Sequence, residues 1–228
     1  VDLYRFPDAE ALAQRVARDL TELIAASIAS GNRFTLALSG GSTPKKLHQM
    51  LVAEYQNSID WNQVDFFLGD DRFVPPTDDR SNERMIRETL LTPLEISESQ
   101  IHFPYADLPV ETAAARYDAV LPEKLDLVLL GLGTDGHSLS LFPGEPFVTG
   151  HKAVAAKAPV VAAERITLTA EYTNQAQTAW FLVAGADKPA ALKSMMMDEF
   201  DPAKTPSQAV ARVHPNCRVY ADAAALAF

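Results

Sequence analysis

Cysteine is nearly missing from this chain: Cys217 is the one thiol in 228 residues. A single cysteine excludes an internal disulfide framework and fits a reducing compartment. Long apolar runs are missing too, and none approaches the roughly 20 residues of a membrane-spanning helix. The opening Val1-Asp2-Leu3 has no signal-peptide pattern. A cytoplasmic protein without a membrane role is therefore expected. Positive charge is the scarcer sign, with 20 Lys and Arg against 30 Asp and Glu and a formal net charge of -10. An acidic surface opposes a general nucleic-acid role, because that partner is anionic as well. It does not oppose a small anionic ligand, which feels a local pocket rather than the net charge. His-x-x-x-His pairs and paired cysteines are lacking, so no metal site is expected. There is no Gly-x-Ser-x-Gly elbow, which removes the serine-nucleophile reading. Repeats, low-complexity tracts and an interdomain linker are also lacking. Residues 1–228 therefore read as a single domain, and 47% hydrophobic content is enough for one sizeable core.

What the chain does have is a series of short apolar runs, each closed by a polar or glycine-rich segment. Phe34 to Leu38, Val64 to Leu68, Leu125 to Leu130 and Ala179 to Val183 read as strands buried on both faces. Leu3 to Phe6, Ile101 to Pro104, Arg165 to Thr169 and Cys217 to Tyr220 are shorter strand candidates. Between them lie helical patterns. Asp8 is the expected N-cap of a helix to Ala29, with Leu12, Val16, Leu20, Leu23 and Ile24 on its apolar face. Further helices are expected from Pro44 to about Tyr55, from Asn82 to Leu91, from Ala113 to Val120 and through Met197. Strands alternating with helices imply an α/β fold with a mostly parallel sheet. If the strands are parallel, the segments that close the four buried runs share one edge. Ser39 to Thr43, Asp70 to Arg72, Thr134 to His137 and Asp187 to Lys188 would then converge on one crevice.

Each segment suggests a chemistry. Ser39-Gly-Gly-Ser-Thr-Pro44 is a strand-to-helix turn. Gly40 and Gly41 let backbone N–H groups face outward, Ser42 or Thr43 can cap the helix, and Pro44 suits its first turn. A helix N-terminus of this kind attracts phosphate, although the segment is not a Walker A loop. Gly69-Asp70-Asp71-Arg72 sets a guanidinium beside two acids. Arg72 can hold a phosphate or carboxylate, and Asp70 can orient a base or bind sugar hydroxyls. The bland reading is a solvated turn with a local ion pair. Asp135-Gly-His137 is the best acid–base candidate, because a histidine titrates near neutral pH and here follows a buried strand among glycines. His48, His102, His151 and His214 are read as structural or surface residues. Arg165 and Lys188 are additional cations for an anion. Gly131-x-Gly133-x-x-Gly136 matches a dinucleotide fingerprint by letters alone. Pro143 and Gly144 interrupt the required helix and no acid stands near Val154 to Lys157, so no nicotinamide site is expected.

Three stretches carry a resemblance: Leu-Ser-Gly-Gly-Ser-Thr-Pro (38–44), Gly-Asp-Asp-Arg-Phe-Val-Pro (69–75) with Ser81-Asn82, and Leu-Gly-Thr-Asp-Gly-His-Ser-Leu-Ser-Leu-Phe-Pro-Gly (132–144). In this order and spacing the chain resembles the 6-phosphogluconolactonase family along nearly its whole length. The family usually has Asp-Glu-Arg where Asp70-Asp71-Arg72 stands, and often His-Thr-Ala-Ser where His137-Ser-Leu-Ser140 stands. The resemblance implies a three-layer α/β/α Rossmann-like fold and hydrolysis of 6-phospho-D-glucono-1,5-lactone in the pentose phosphate pathway. It implies no cofactor and no metal. His137 would take a proton from water and return it to the ring oxygen, with Asp135 and Asp70 beside it. Arg72, a lysine or backbone N–H groups would stabilise the oxyanion. Gly40, Gly41, Ser42, Thr43, Arg165 and Lys188 would bind the substrate. The sequence leaves oligomeric state open, and a monomer is compatible with it. Two rivals share the fold. A glucosamine-6-phosphate deaminase would carry a glutamate five places after the histidine, where this chain has Phe142. A sugar-phosphate-sensing regulator would need an attached DNA-binding module.

Overall fold

The computed structural model describes residues 1–104, 106–159 and 164–228. In chain order the elements are β1 (Asp2–Phe6), α1 (Ala9–Ala29), β2 (Phe34–Leu38), α2 (Ser42–Tyr55), β3 (Val64–Leu68), β4 (Asp70–Arg72), α3 (Asn82–Ile86) and β5 (Ile101–His102). There follow α4 (Val110–Val120), β6 (Leu127–Leu130), β7 (Ala153–Lys157), β8 (Glu164–Leu168), α5 (Ala170–Thr173), β9 (Thr178–Val183), α6 (Pro189–Met196), α7 (Gln208–Ala211) and β10 (Cys217–Asp222).

Seven strands form one sheet in the order β1-β10-β9-β6-β2-β3-β5, and every neighbouring pair is parallel. Successive side chains of a strand point to opposite faces, so each central strand feeds two cores. Leu36, Leu38, Phe66, Leu68, Leu127, Leu129 and Trp180 point to one face and pack with Leu12, Val16 and Leu20 of α1 and Leu47 and Leu51 of α2. Ala37, Phe67, Val128, Leu130 and Phe181 point to the other and pack with Tyr117 of α4, Leu192 and Met195 of α6 and Val210 of α7. The result is the expected three-layer α/β/α arrangement. Asp8 caps α1 as its sequence suggests, accepting from the Ala11 N–H at 2.8 Å.

A second sheet departs from the sequence reading. β4, β8 and β7 form a three-stranded antiparallel sheet in the order β4-β8-β7. The strand expected at Arg165 to Thr169 is there as β8, but it pairs outside the parallel sheet. Asp70 to Arg72, read as a segment closing a strand with a solvated turn as the bland alternative, is itself a strand. Three polar residues have no apolar alternation, so nothing local marked β4. The helix expected from Asn82 to Leu91 is α-helical to Ile86 and a π-turn from Arg87 to Leu91. Ser42 and Thr43 do not cap α2 either. The helix begins at Ser42, and its N-cap is Gly41, at a φ of 107° that favours glycine, with no side-chain cap.

Parallel pairing fixes where function can sit. β2, β3, β6 and β9 end on the same edge, and the small sheet lies against that edge. Leu168 N–H donates to Gly69 O at 2.8 Å, joining β8 to the residue between β3 and β4. Tyr117 of α4 pins the end of β3 from below: its hydroxyl donates to Leu68 O at 2.6 Å and accepts from Leu68 N–H at 2.8 Å.

Candidate active site

The loop after β6 folds onto itself. Gly133 N–H donates to His137 O at 2.9 Å, and Gly136 N–H donates to Gly133 O at 3.0 Å. No helix opens on the three glycines, as the dinucleotide fingerprint would require. The His137 ring packs against Gly133: a Cβ there would stand 2.1 Å from Nδ1, so glycine makes room for the ring in this position. Asp135 Oδ1 holds the ring from one side, 2.5 Å from Nδ1, and also accepts the His137 N–H at 3.1 Å. Burial pushes the Asp135 carboxyl up, but the hydrogen bonds from the His137 ring and backbone outweigh it and hold the group below its ordinary value. An ionised carboxylate only accepts, so Nδ1 carries a proton, and in the neutral imidazole Nε2 is the one with the lone pair. Phe142 packs on the ring with centroids 5.0 Å apart. Just beyond the histidine the backbone passes through Leu139 in the left-handed region, φ 56°, a conformation that costs an L-residue about 1–2 kcal/mol. Burial of the Leu139 side chain offsets part of that cost.

The loop after β2 meets β4 through Asn82. Its side chain fills the space a Cβ on Gly40 would need, with Oδ1 only 1.9 Å from that position. Asn82 donates from Nδ2 to Asp70 O at 2.9 Å and accepts from Arg72 Nη1 at 3.2 Å. Arg72 Nη1 also donates to Arg80 O at 2.8 Å. With Gly41 as a cap that offers no side chain, the first N–H groups of α2 stay open to an anion beside this arginine. Asp71 points to the other side of β4 and caps α3. Its carboxylate accepts from Asn82 N–H at 2.6 Å, Glu83 N–H at 2.9 Å and the Ser81 hydroxyl at 3.1 Å. Burial pushes this carboxyl up to about 6 despite the N–H donors of Glu83 and Asn82.

Arg165 of β8 stands opposite Arg72 in the antiparallel register. Its Nη1 is buried and has no hydrogen-bond partner among the described residues. Burial lowers its pKa from the usual guanidinium value, and the Arg72 charge lowers it further. Two arginines side by side, with an N–H group that has no partner among the described residues, could hold an anion.

Contacts link most of the sequence candidates. Gly40 touches Asn82, which holds Arg72 and the Asp70 backbone. The Asp70 carboxylate accepts from Ser140 Oγ at 2.7 Å, and Ser140 belongs to the loop of Asp135 and His137. Gly41, Ser42 and Thr43 flank Gly40 at the start of α2. Lys188 lies at the same sheet edge after β9, where its Nζ pairs with Asp187 Oδ2 at 3.0 Å. Among the described residues no hydrogen bond or ion pair joins it to the other candidates. Of the remaining histidines, His48 is fully buried against Thr89 Oγ1 at 3.0 Å and His214 against Ala176 O at 3.1 Å. His102 lies by Asp65 and His151 by Asp118. Asn82 and Ser140 were present in the sequence motifs without a role. Their partners are 10 to 70 residues away, and no local signal reveals such contacts.

Fold and geometry together define a class: three-layer α/β/α proteins with a hydrogen-bonded Asp–His pair and two neighbouring arginines at the carboxyl edge of a parallel sheet. Within that class, the chain belongs to the family of glucosamine-6-phosphate isomerases/6-phosphogluconolactonase, whose family model matches residues 7–219. It is 35% identical over 208 residues to a 6-phosphogluconolactonase of Synechocystis sp., covering 86% of this chain and 85% of that protein. The crystal structure of a 6-phosphogluconolactonase from Thermotoga maritima superposes with a TM-score of 0.85 at 26% identity, over 97% of this chain and 98% of the other. A monomeric glucosamine-6-phosphate deaminase superposes with a TM-score of 0.87 at 18% identity, over 99% and 98% of the two chains. That last likeness is one of fold.

Proposed function

We propose that this chain hydrolyses 6-phospho-D-glucono-1,5-lactone to 6-phospho-D-gluconate, a step of the oxidative pentose phosphate pathway. The observation that carries this reading is the Asp135–His137 pair on the same sheet edge as two arginines that, among the described residues, form no ion pair with a carboxylate. His137 Nε2 takes a proton from water as the oxygen attacks the lactone carbonyl. Asp135 keeps Nδ1 protonated and stabilises the imidazolium that forms. The tetrahedral intermediate collapses, the ring C–O bond breaks, and His137 returns its proton to the departing ring oxygen. Arg72, Arg165 and the first N–H groups of α2 with Ser42 and Thr43 hold the phosphate, and Lys188 supplements the positive field at that edge. Binding the remote phosphate fixes the carbonyl for attack. Asp70, held by Ser140, offers its other oxygen to a sugar hydroxyl.

Two features support the rest of the reading. Cys217 is buried and free, which suits a reducing cytoplasm. Phe142 covers the position where the deaminase reading needs a carboxylate, which weighs against that rival. The test is a comparison of three substrates. The phosphorylated lactone should be opened far faster than unphosphorylated gluconolactone, with spontaneous hydrolysis subtracted, and glucosamine 6-phosphate should not be deaminated. Equal turnover of the two lactones would show that no phosphate is being read, and deamination would move the chain to the other branch of its family.

A further inference from the structure

We propose that Ser140 is a positioning residue: its hydroxyl holds the Asp70 carboxylate away from the Arg72–Arg165 pair and so keeps both guanidiniums open to phosphate. This rests on the reading of the arginine pair as the phosphate site.

Geometry makes the need for such a device plain. Asp70 and Arg72 are two residues apart on β4 and share a face of the small sheet, and Arg165 is the cross-strand partner of Arg72. The Asp70 charge is near enough to be felt at Arg165. A mobile carboxylate in this position would pair with one of the arginines, and every phosphate would then have to displace it. Yet among the described residues Asp70 forms no ion pair. Its Oδ2 accepts from Ser140 Oγ at 2.7 Å. Ser140 is itself fixed: it is 3% exposed, and its N–H donates to Thr167 Oγ1 at 3.1 Å. Thr167 is the register partner of Asp70, so Ser140 spans the cross-strand pair beside the two arginines.

The second nearby acid is also engaged elsewhere, since Asp71 faces away and caps α3. Arg72 in turn is steadied by two neutral oxygens, Arg80 O and Asn82 Oδ1, which hold it without cancelling its charge. The pattern is consistent: each acid is tied to neutral donors, Arg72 to neutral acceptors, and Arg165 Nη1 to nothing among the described residues. Because Ser140 lies three residues after His137, one loop presents the base and keeps the anion site clear.

The experiment measures inorganic phosphate binding by calorimetry to the wild-type protein and to three variants. Ser140→Ala releases Asp70 and should weaken phosphate binding about tenfold. Ser140→Ala with Asp70→Asn should restore it, because a neutral amide does not compete for the arginines. Asp70→Asn alone should bind phosphate at least as tightly as wild type, and this variant keeps the test alive if Ser140→Ala does not fold. Unchanged binding in Ser140→Ala would overturn the proposal while leaving the phosphate site intact. Equal weakness in the single and double variants would also overturn it, since a distorted loop is not repaired by neutralising Asp70. Weaker binding in Asp70→Asn would overturn it too. Failure of the wild type to bind phosphate would instead remove the arginine-pair reading on which the proposal stands.

Discussion

The parallel sheet and the small antiparallel sheet put adjacent residues to opposite uses. In β3, Val64, Phe66, Phe67 and Leu68 are all buried among apolar neighbours in the protein itself. Two residues further, β4 carries Asp70, Asp71 and Arg72, and its partner strand sets Arg165 opposite Arg72. Like charges directly opposite on paired strands oppose folding. A buried N–H group with no acceptor opposes it as well. The large sheet is thus explained by what it does for the fold, whereas the small one, although Ala153, Ile166 and Leu168 anchor it in the core, carries charges that the fold does not need. Departures from good local energetics collect where a site is.

The sharpest way to test that contrast is to damage each region and ask what fails. His137→Asn should lower the lactonase rate above background on the order of 10²–10⁴-fold, the range for loss of a general base. Its thermal midpoint should stay near that of the wild type, because the ring is part-exposed and leaves no core cavity. A folded variant that kept most of the rate would pass the role of base to Asp135 or Asp70. Phe66→Ala should do the reverse. Phe66 is fully buried in the parallel sheet, and its truncation should cost about 3–5 kcal/mol of unfolding free energy while the folded fraction keeps its turnover.

Arg165→Met probes the boundary between the two regions. Binding of the phosphorylated lactone should weaken by about 1.5–3 kcal/mol, the scale of a charge-assisted contact. The melting temperature should hold or rise, because a like-charge neighbour and an unpaired buried N–H are both removed. A fall of several degrees would mean that Arg165 serves the fold, and the contrast between the sheets would fail. The smallest effect concerns acid. Burial pulls His48 down from its usual range to about 3. The unfolded chain therefore takes up this proton near pH 6.5, whereas the folded chain resists until about 3. Stability is complete above the unfolded value and drains away as pH falls toward the folded one. At pH 5 that loss is about 2 kcal/mol by this linkage. His48→Leu should flatten that part of the pH–stability curve, as denaturant melts at pH 7.5 and pH 5 would reveal.

What the sequence disclosed follows the same division. The bounds of β2 and β3 match their apolar runs, and Asp8 caps α1 as written, because burial and capping are local demands. The edge on which Ser39, Asp70 and Thr134 fall could be read from strand order alone, since parallel strands end together. β4 could not be read, because three charged residues have no periodicity, and the antiparallel partner of β8 depends on a contact 95 residues away. The cap of α2 was misassigned for a physical reason as well. Ser42 and Thr43 have cap-forming hydroxyls, but a glycine can begin a helix without one and leaves its first N–H groups free. The roles of Asn82 and Ser140 depend on side chains meeting across the fold, which no spacing encodes.

The interlock of Gly40 and Asn82 has a consequence for descent. One volume is shared by two positions, so a change at either disturbs the other. Gaining even a methyl group at 40 collides with the amide already there, and shortening 82 first strips Arg72 of an acceptor and Asp70 O of a donor. Any lineage that crosses to another pair must pass through an intermediate with a loosened arginine. The two positions are therefore expected to be inherited as a unit, and a relative with a larger residue at the first should carry a smaller one at the second.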